Sequence, residues 1–474
     1  MDGINKTQQW LNGVYAPEII VKDGLVVCRG LISQMDVAVQ EGKIRAVGVG
    51  LPIGNARVID AASRYVLPGV IDAHVHPILA ETIGSVSIGG IHGGVLTQIH
   101  FIYDDPDVGL VATNRRYLEE GRRTSATDFA FHARIIAPAE EIDEIPALAA
   151  MGINSFKLFL AFKRKGEMIP DDYLVRLFRR IAEVGGVALI HAENGEIIDA
   201  LEQEMIAAGR DDGRAFAESR PPLAETEAIH RVLAIGALTG CPVYIVHMSV
   251  GSGLDIVRRA RERGQTVYAE TCPQYLTLTE SLHDELGVLA KIAPPLRTEA
   301  DLNAFWAGIR DGTVDVVGSD HNGSDRDYKY KPNGSIWEAG FGAPMIETML
   351  PVMYHAGVVG GRISMPQLVR VLAERPAEVF GIADRKGSIA PGLDADLLIW
   401  DPKGTQTIRA DGFHSNAFYT FYEGWQVQGR LALAMQRGTV LLDEDGQCHA
   451  RAGDGRFLAR PSNNVPERVA TPSA

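Results

Sequence analysis

The sequence predicts an α/β protein, a (β/α)8 TIM-like barrel with a small β-sandwich domain built from its N- and C-terminal segments. Three observations predict it. Eight short, nearly all-apolar runs recur between residues 70 and 320, separated by helix-length stretches, the texture of a parallel sheet buried on both faces. β-branched runs broken by Asp-Gly and Glu-Gly turns precede them, and the same texture returns afterwards. The first of the eight runs closes on His74 and His76, whose side chains share one face of a strand.

In chain order, PEIIVKDGLVVCRG, MDVAVQEGKIRAVG and ARVIDAASRYVL read as short strands. LPGVIDAHVHP (67–77) enters the first barrel strand through Pro68 and Gly69. The strand-like runs follow at 70–76, 95–101, 128–135, 153–160, 187–193, 243–248, 266–271 and 314–320. Between them, DDYLVRLFRRIAEVGG (171–186) and GLDIVRRARERG (253–264) carry helical apolar spacing and close on Gly. A doubly wound open sheet alternates in the same way, so the barrel rests partly on the count of eight. MPQLVRVLAERPAEVFG (365–381) reads as a helix, and GSIAPGLDADLLIWDP and VQGRLALAMQRGTVLLDEDGQ return to β texture. The expected division is 1–66 and 385–450 for the two halves of the sandwich and 67–384 for the barrel. Residues 451–474, polar and rich in Pro and Ser, read as a C-terminal arm.

Composition narrows the partners. The chain has 474 residues, 46% hydrophobic and 22% charged, as in ordinary soluble proteins. A formal charge of −14 argues against nucleic acid and acidic membranes as partners, and excludes more than it selects. Cys28, Cys241, Cys272 and Cys448 show no paired spacing, so neither a disulfide framework nor a thiolate metal site is indicated. MDGINKTQQWLNG lacks a signal-peptide pattern and no run of 18 apolar residues occurs, so a cytoplasmic location is expected.

Barrel active sites form at the carboxyl ends of the strands. Strand one ends in His74 and His76, and strand four carries Lys157. His191 stands on strand five, His247 on strand six and Asp320 at the end of strand eight. Each has a bland reading: a satisfied core histidine, a snorkelling lysine, a turn aspartate. Six such residues on five buried strands make the bland readings hard to sustain together, because each buried charge needs a partner or a metal. Four imidazoles and an aspartate suit a zinc-like ion, and they exceed one tetrahedral shell, so two ions are expected. Lys157 joins them as a ligand if carbon dioxide converts its amine to a carbamate. The chemistry is then hydroxide attack, with Asp320 as general base and acid.

These residues sit in motifs that resemble the cyclic amidohydrolases of the amidohydrolase superfamily, of the dihydropyrimidinase and hydantoinase type. The resemblance spans nearly the whole chain, through LPGVIDAHVHP, GINSFKLFLAFK, IHAENGEII, SRPPLAETEAIHR, ETCPQYL, APPLR, GSDH, PGLDADLLIWDP, HSNAFYTFYEGW and DGRFLAR. It implies two Zn2+ ions per subunit, bridged by carboxylated Lys157 and held by His74, His76, His191, His247 and Asp320. It also implies a homotetramer.

The substrate-reading positions depart from the pattern. Phe162 replaces the family's tyrosine, and Ala293 replaces a serine. AGFGAP, with Phe341 and Gly342, replaces Asn-Gly and looks nearer to allantoinases. Phe162, Ala293, His321, Phe341 and Gly342 are therefore the candidate substrate contacts. Glu193 is the candidate partner orienting a ligand histidine, Glu270 reads as readily as structural as in such a role, and LAFKRKGEMIPDDY (160–173) reads as a flexible loop by the site. The leading expectation is a hydrolase opening a cyclic amide, imide or ureide ring. An allantoinase-like ureide hydrolase is the alternative, and a non-catalytic relative that has lost its metal ligands is disfavoured because all six positions are filled.

Overall fold

A computed structural model of the chain describes residues 17–460 other than 104 and 106. MDGINKTQQWLNG and residues 461–474 of the expected arm lie outside the described residues. The N-terminal segment forms β1 (Ile19–Cys28), β2 (Leu31–Gln40), β3 (Lys43–Gly48), β4 (Arg57–Asp60) and β5 (Tyr65–Pro68). The barrel follows with β6 (Val70–His76), β7 (Val95–Ile102), β8 (Asp128–Arg134), β9 (Ser155–Phe159) and β10 (Val187–His191). It continues with β11 (Val243–Ile245), β12 (Val267–Thr271), β13 (Val316–Val317) and β14 (His321–Asn322). These pair in parallel in chain order, and β14 returns to β6.

The eighth barrel strand, expected as one run, is split into β13 beside β12 and β14 beside β6. The cause is local. A Cβ at Gly318 would come 2.8 Å from His74 Cβ, and Asp320 takes a φ of +52°, which breaks a regular ladder. The Ser319 N–H is taken instead by Asp72 Oδ1 at 3.0 Å, fastening the break to β6.

The helix Asp171–Glu183 buries Leu174, Leu177, Phe178 and Ile181, one face at helical spacing. The helix expected over 365–381 forms as Met365–Val369 and Arg375–Val379 joined by a wide π turn at Arg370–Glu374. Pro376 has no N–H for the preceding turn, and the chain widens there.

The C-terminal segment adds β15 (Leu397–Thr407), β16 (Gln426–Gln436) and β17 (Thr439–Leu442). β15 pairs antiparallel with β5, so strands from both ends of the chain join one sheet ordered β17-β16-β15-β5-β1-β2-β3, with β4 beside β1. That sheet encloses a single core including Val21, Val37, Val66, Leu397, Ile399 and Met435. Residues 451–460 are not an extended arm. Phe129 N–H donates to Arg456 O at 3.0 Å and Leu458 N–H to Phe129 O at 2.7 Å, and Leu458 and Arg460 are buried. Phe457 packs on Phe129 and Phe131, so two apolar residues in a polar stretch suffice to dock it.

Among the described residues, no helix is long and apolar enough to cross a membrane. The four cysteines form no disulfide.

Candidate active site at the carboxyl mouth of the barrel

The strands open at their carboxyl ends into a cleft of about 420 Å³, lined in part by His76, Lys157, His191, His247 and Asp320. His74 lies beneath it, fully buried. Strand alternation puts His74 and His76 on the same side of β6, with ring centroids 5.1 Å apart. Both Nε2 atoms point at one oxygen: Asp320 Oδ1 lies 3.0 Å from His74 Nε2 and 3.1 Å from His76 Nε2. His191 Nδ1 faces His247 Nε2 at 3.0 Å. Lys157 Nζ sits between the rings of Phe101 and Phe159, at 5.0 and 5.1 Å from their centroids.

Backbone strain concentrates here. Of the nine described non-glycine residues with positive φ, four line the cleft: Leu79, Phe162, His247 and Asp320. Such conformations cost about 1–3 kcal/mol each and persist where the surroundings over-determine them.

The imidazoles are held from behind by unlike partners. Glu270 Oε1 lies 2.6 Å from His74 Nδ1 and also accepts from His247 N–H, while its other oxygen accepts from Tyr244 Oη at 2.7 Å. Glu193 Oε2 lies 2.7 Å from His191 Nε2 and takes a bond from Arg220. Behind His76 stands a phenol, Tyr103 Oη, 3.1 Å from Nδ1. Glu270 thus does for His74 what Glu193 does for His191, although in sequence it reads as readily as structural.

The charges point to a cation. Burial disfavours a proton on His74, yet Glu270 and Asp320 outweigh it and lift its pKa to about 9, so the spot attracts positive charge. Burial pushes His191 and His247 well down, leaving their lone pairs available. Burial works against the Asp320 carboxylate too, but His74 and His76 hold it well below the usual range. The Lys157 ammonium, without an ion pair to any described carboxylate, is pushed down to about 7 by burial. His247 Nδ1 is buried without a hydrogen-bond partner, His74 Nε2 has only the Asp320 carboxylate before it, and ligand atoms of His74, His247 and Asp320 lie within 4.8 Å of one another. Nitrogen and oxygen donors so arranged fit a divalent ion of the zinc type.

Around this centre, Phe162 packs on His191 at 4.9 Å and on Phe341 at 5.4 Å between ring centroids. Phe162, Ala293, Phe341 and Gly342 all line the cleft. His321 does not, contrary to the expectation of a substrate contact. Its Nδ1 accepts from the Met345 and Ile346 N–H groups and its Nε2 lies 3.6 Å from Glu81, because neighbours on a strand face opposite ways. In the loop after β9, Arg134 pairs with Glu167 at 2.8 Å, Lys163 with Glu196 at 2.5 Å, and Arg164 with Asp199.

Sequence reasoning missed Tyr103, Arg134, Lys165, Glu167 and Tyr328, which also line the cleft. For Tyr103 and Arg134 the signal was present, since both stand at the carboxyl ends of barrel strands.

The model of the amidohydrolase family matches residues 168–440. A D-hydantoinase of Ralstonia pickettii is 36% identical over 463 residues, covering 94% of this chain and 99% of that protein. An L-hydantoinase of Paenarthrobacter aurescens is 35% identical, covering 94% and 98%. Among solved structures, a D-hydantoinase superposes with a TM-score of 0.90 at 35% identity, over 94% of this chain and 100% of that one. The dihydropyrimidinase from Brevibacillus agri NCHU1002 gives 0.89 at 31% identity, over 94% and 99%.

Proposed function

The chain belongs to the amidohydrolase family and is a hydantoinase-like hydrolase acting on the C–N bonds of cyclic amides, and we propose how its own residues open the ring. The carrying observation is the convergence of four imidazoles, a buried lysine and an aspartate on one mouth, with the buried His247 Nδ1 left unpartnered. His74, His76, Lys157, His191, His247 and Asp320 would hold two divalent ions, zinc by donor type. When bound, such ions supply Lewis-acid polarisation of the carbonyl and an acidified water.

The chain's residues do the rest. Lys157, as a neutral amine, attacks carbon dioxide; an N–C bond forms, a proton leaves, and the carbamate offers two oxygens. Asp320 takes a proton as the ring carbonyl is attacked and returns it to the nitrogen that leaves. Phe162, Ala293, Phe341 and Gly342 form the recognition wall, which lacks a hydroxyl at Phe162 and Ala293. Activity on dihydrouracil is accordingly weak. The reading extends to a cytoplasmic homotetramer, supported by the family resemblance and the unpaired cysteines.

The test is a ring-opening assay on protein loaded with zinc and bicarbonate. The panel is dihydrouracil, hydantoin, a 5-aryl hydantoin, allantoin, dihydroorotate and a cyclic imide. Turnover of at least one ring, lost in Lys157→Ala, is the expected result. A silent panel would falsify the ring-opening reading for these substrates, and dihydrouracil turned over as fast as any other ring would show the apolar-wall argument wrong.

A further inference from the structure

With Phe162 in place of a tyrosine, the β9 end of the cleft has no phenol to offer a ring carbonyl. The β7 end does. Tyr103 lines the cleft, and its Oη lies 3.1 Å from His76 Nδ1 and has no second partner among the described residues. The Arg134 guanidinium lies 4.5 Å over its ring and holds it in place.

Counting hydrogens decides what that phenol does. His76 Nε2 faces Asp320 at 3.1 Å, on the side to which His74 Nε2 also points. An imidazole that offers its Nε2 lone pair to a cation carries its proton on Nδ1. With a cation on Nε2, that proton would face Tyr103 Oη at 3.1 Å and leave the tyrosine's own O–H for another acceptor. Glu270 and Glu193, the corresponding partners of His74 and His191, are carboxylates that only accept. With the cation bound, Tyr103 alone of the three partners would accept from an imidazole and still have a donor.

We propose that Tyr103 donates its hydroxyl proton to the substrate's ring carbonyl and to the negative charge developing there, supplying from β7 the hydroxyl that Phe162 lacks. The proposal rests on the ring-opening reading. The other tyrosine in the cleft, Tyr328, has no contact with a ligand-type imidazole in the described structure and serves as the comparison.

The experiment compares wild type, Tyr103→Phe and Tyr328→Phe, each loaded to equal, measured zinc content. Three quantities are read: zinc affinity against a competing chelator, kcat/KM on the ring panel, and binding of hydantoin and allantoin by calorimetry. Removing one donor to a developing oxyanion costs about 10²-fold in rate, so Tyr103→Phe should lose about that much at full zinc occupancy, and Tyr328→Phe much less. Zinc affinity of Tyr103→Phe should fall by about tenfold, because His76 loses the group that orients it. A kcat/KM within threefold of wild type at full occupancy overturns the proposal. So does a loss that excess zinc fully restores, since Tyr103 would then only orient His76. If the wild type opens no ring, the ring-opening reading fails, and binding judges Tyr103 separately. Weaker hydantoin or allantoin binding to Tyr103→Phe then supports it; equal binding, or none to any protein, overturns it.

Discussion

Strand β8 has a buried charge cluster at each end, and the two are settled in opposite ways. At its start, Asp128 gathers with Asp394 and Asp396, a trio that could hold a metal ion. The protein fills that place itself. Lys386 Nζ lies 2.5, 2.9 and 2.6 Å from Asp128, Asp394 and Asp396. Arg437 adds an ion pair to Asp128, and Lys43 one to Asp394 at 2.6 Å, so three cations meet three carboxylates. At the far end, by Arg134, the buried His247 Nδ1 has no hydrogen-bond partner and the Lys157 ammonium has no described carboxylate. Buried charge therefore does not by itself mark function here; at the foot it is cancelled from within the chain. The foot pins barrel, sandwich and the 451–460 segment together, whereas at the mouth the Lys157 ammonium has no such ion pair among the described residues.

Four measurements sharpen or break this contrast. The largest effect is expected from Lys157→Ala, which should lower turnover on the order of 10³-fold or more and reduce zinc below two per chain. Full activity in that variant would remove the lysine from the mouth's chemistry. Lys386→Ala leaves buried carboxylates uncompensated and should cost about 3–5 kcal/mol of stability, read from denaturant midpoints, while kcat of the folded protein stays unchanged. An unmoved midpoint would mean that the foot is no pin. Glu270→Gln keeps shape but removes charge from behind His74, and should weaken zinc binding about 10- to 100-fold against a chelator. Equal affinity would show that Glu270 does not tune the site.

The smallest effect is one of pH. Lys291 donates to the carbonyls of Ile336, Trp337 and Ala339 at 2.6, 3.0 and 2.7 Å and has its pKa pushed down to about 7 by burial. An unfolded lysine titrates near about 10.4, so between those values the unfolded chain binds more protons and Lys291 makes stability rise with pH. Lys386 behaves oppositely. Burial alone would lower its pKa, but Asp396, Asp128 and Asp394 outweigh it and raise it. Its contribution is complete below the unfolded lysine value and is lost only above it. Melting temperatures of zinc-free protein at pH 7, 8 and 9 should therefore climb less steeply in Lys291→Met than in wild type. Identical slopes would remove Lys291 from the account.

Much of the mouth was readable before folding was considered. A titratable residue in an apolar strand stands out, and alternation along β6 puts His74 and His76 on one side. The same alternation turns His321 away from Asp320's face, a consequence that adjacency alone obscured. Glu270 was harder. It meets His74 across 196 positions of sequence, and nothing near it distinguishes it from a structural glutamate. Residues 451–460 misread as an arm because Phe457 and Leu458 matter only once β8 offers them an edge.

Residue identity and short-range periodicity were enough to name the barrel and the six ligand-type side chains, and the resemblance of whole motifs named the reaction class, because these depend on neighbours within a few positions. Three other features waited for the folded chain. These are the partner behind each imidazole, the lysine that cancels the Asp128 trio, and the Tyr103 hydroxyl beside His76 at the cleft wall. Each rests on distances of a few ångströms between residues far apart in sequence, and only closing the barrel and joining the chain's two ends in one sheet sets those distances.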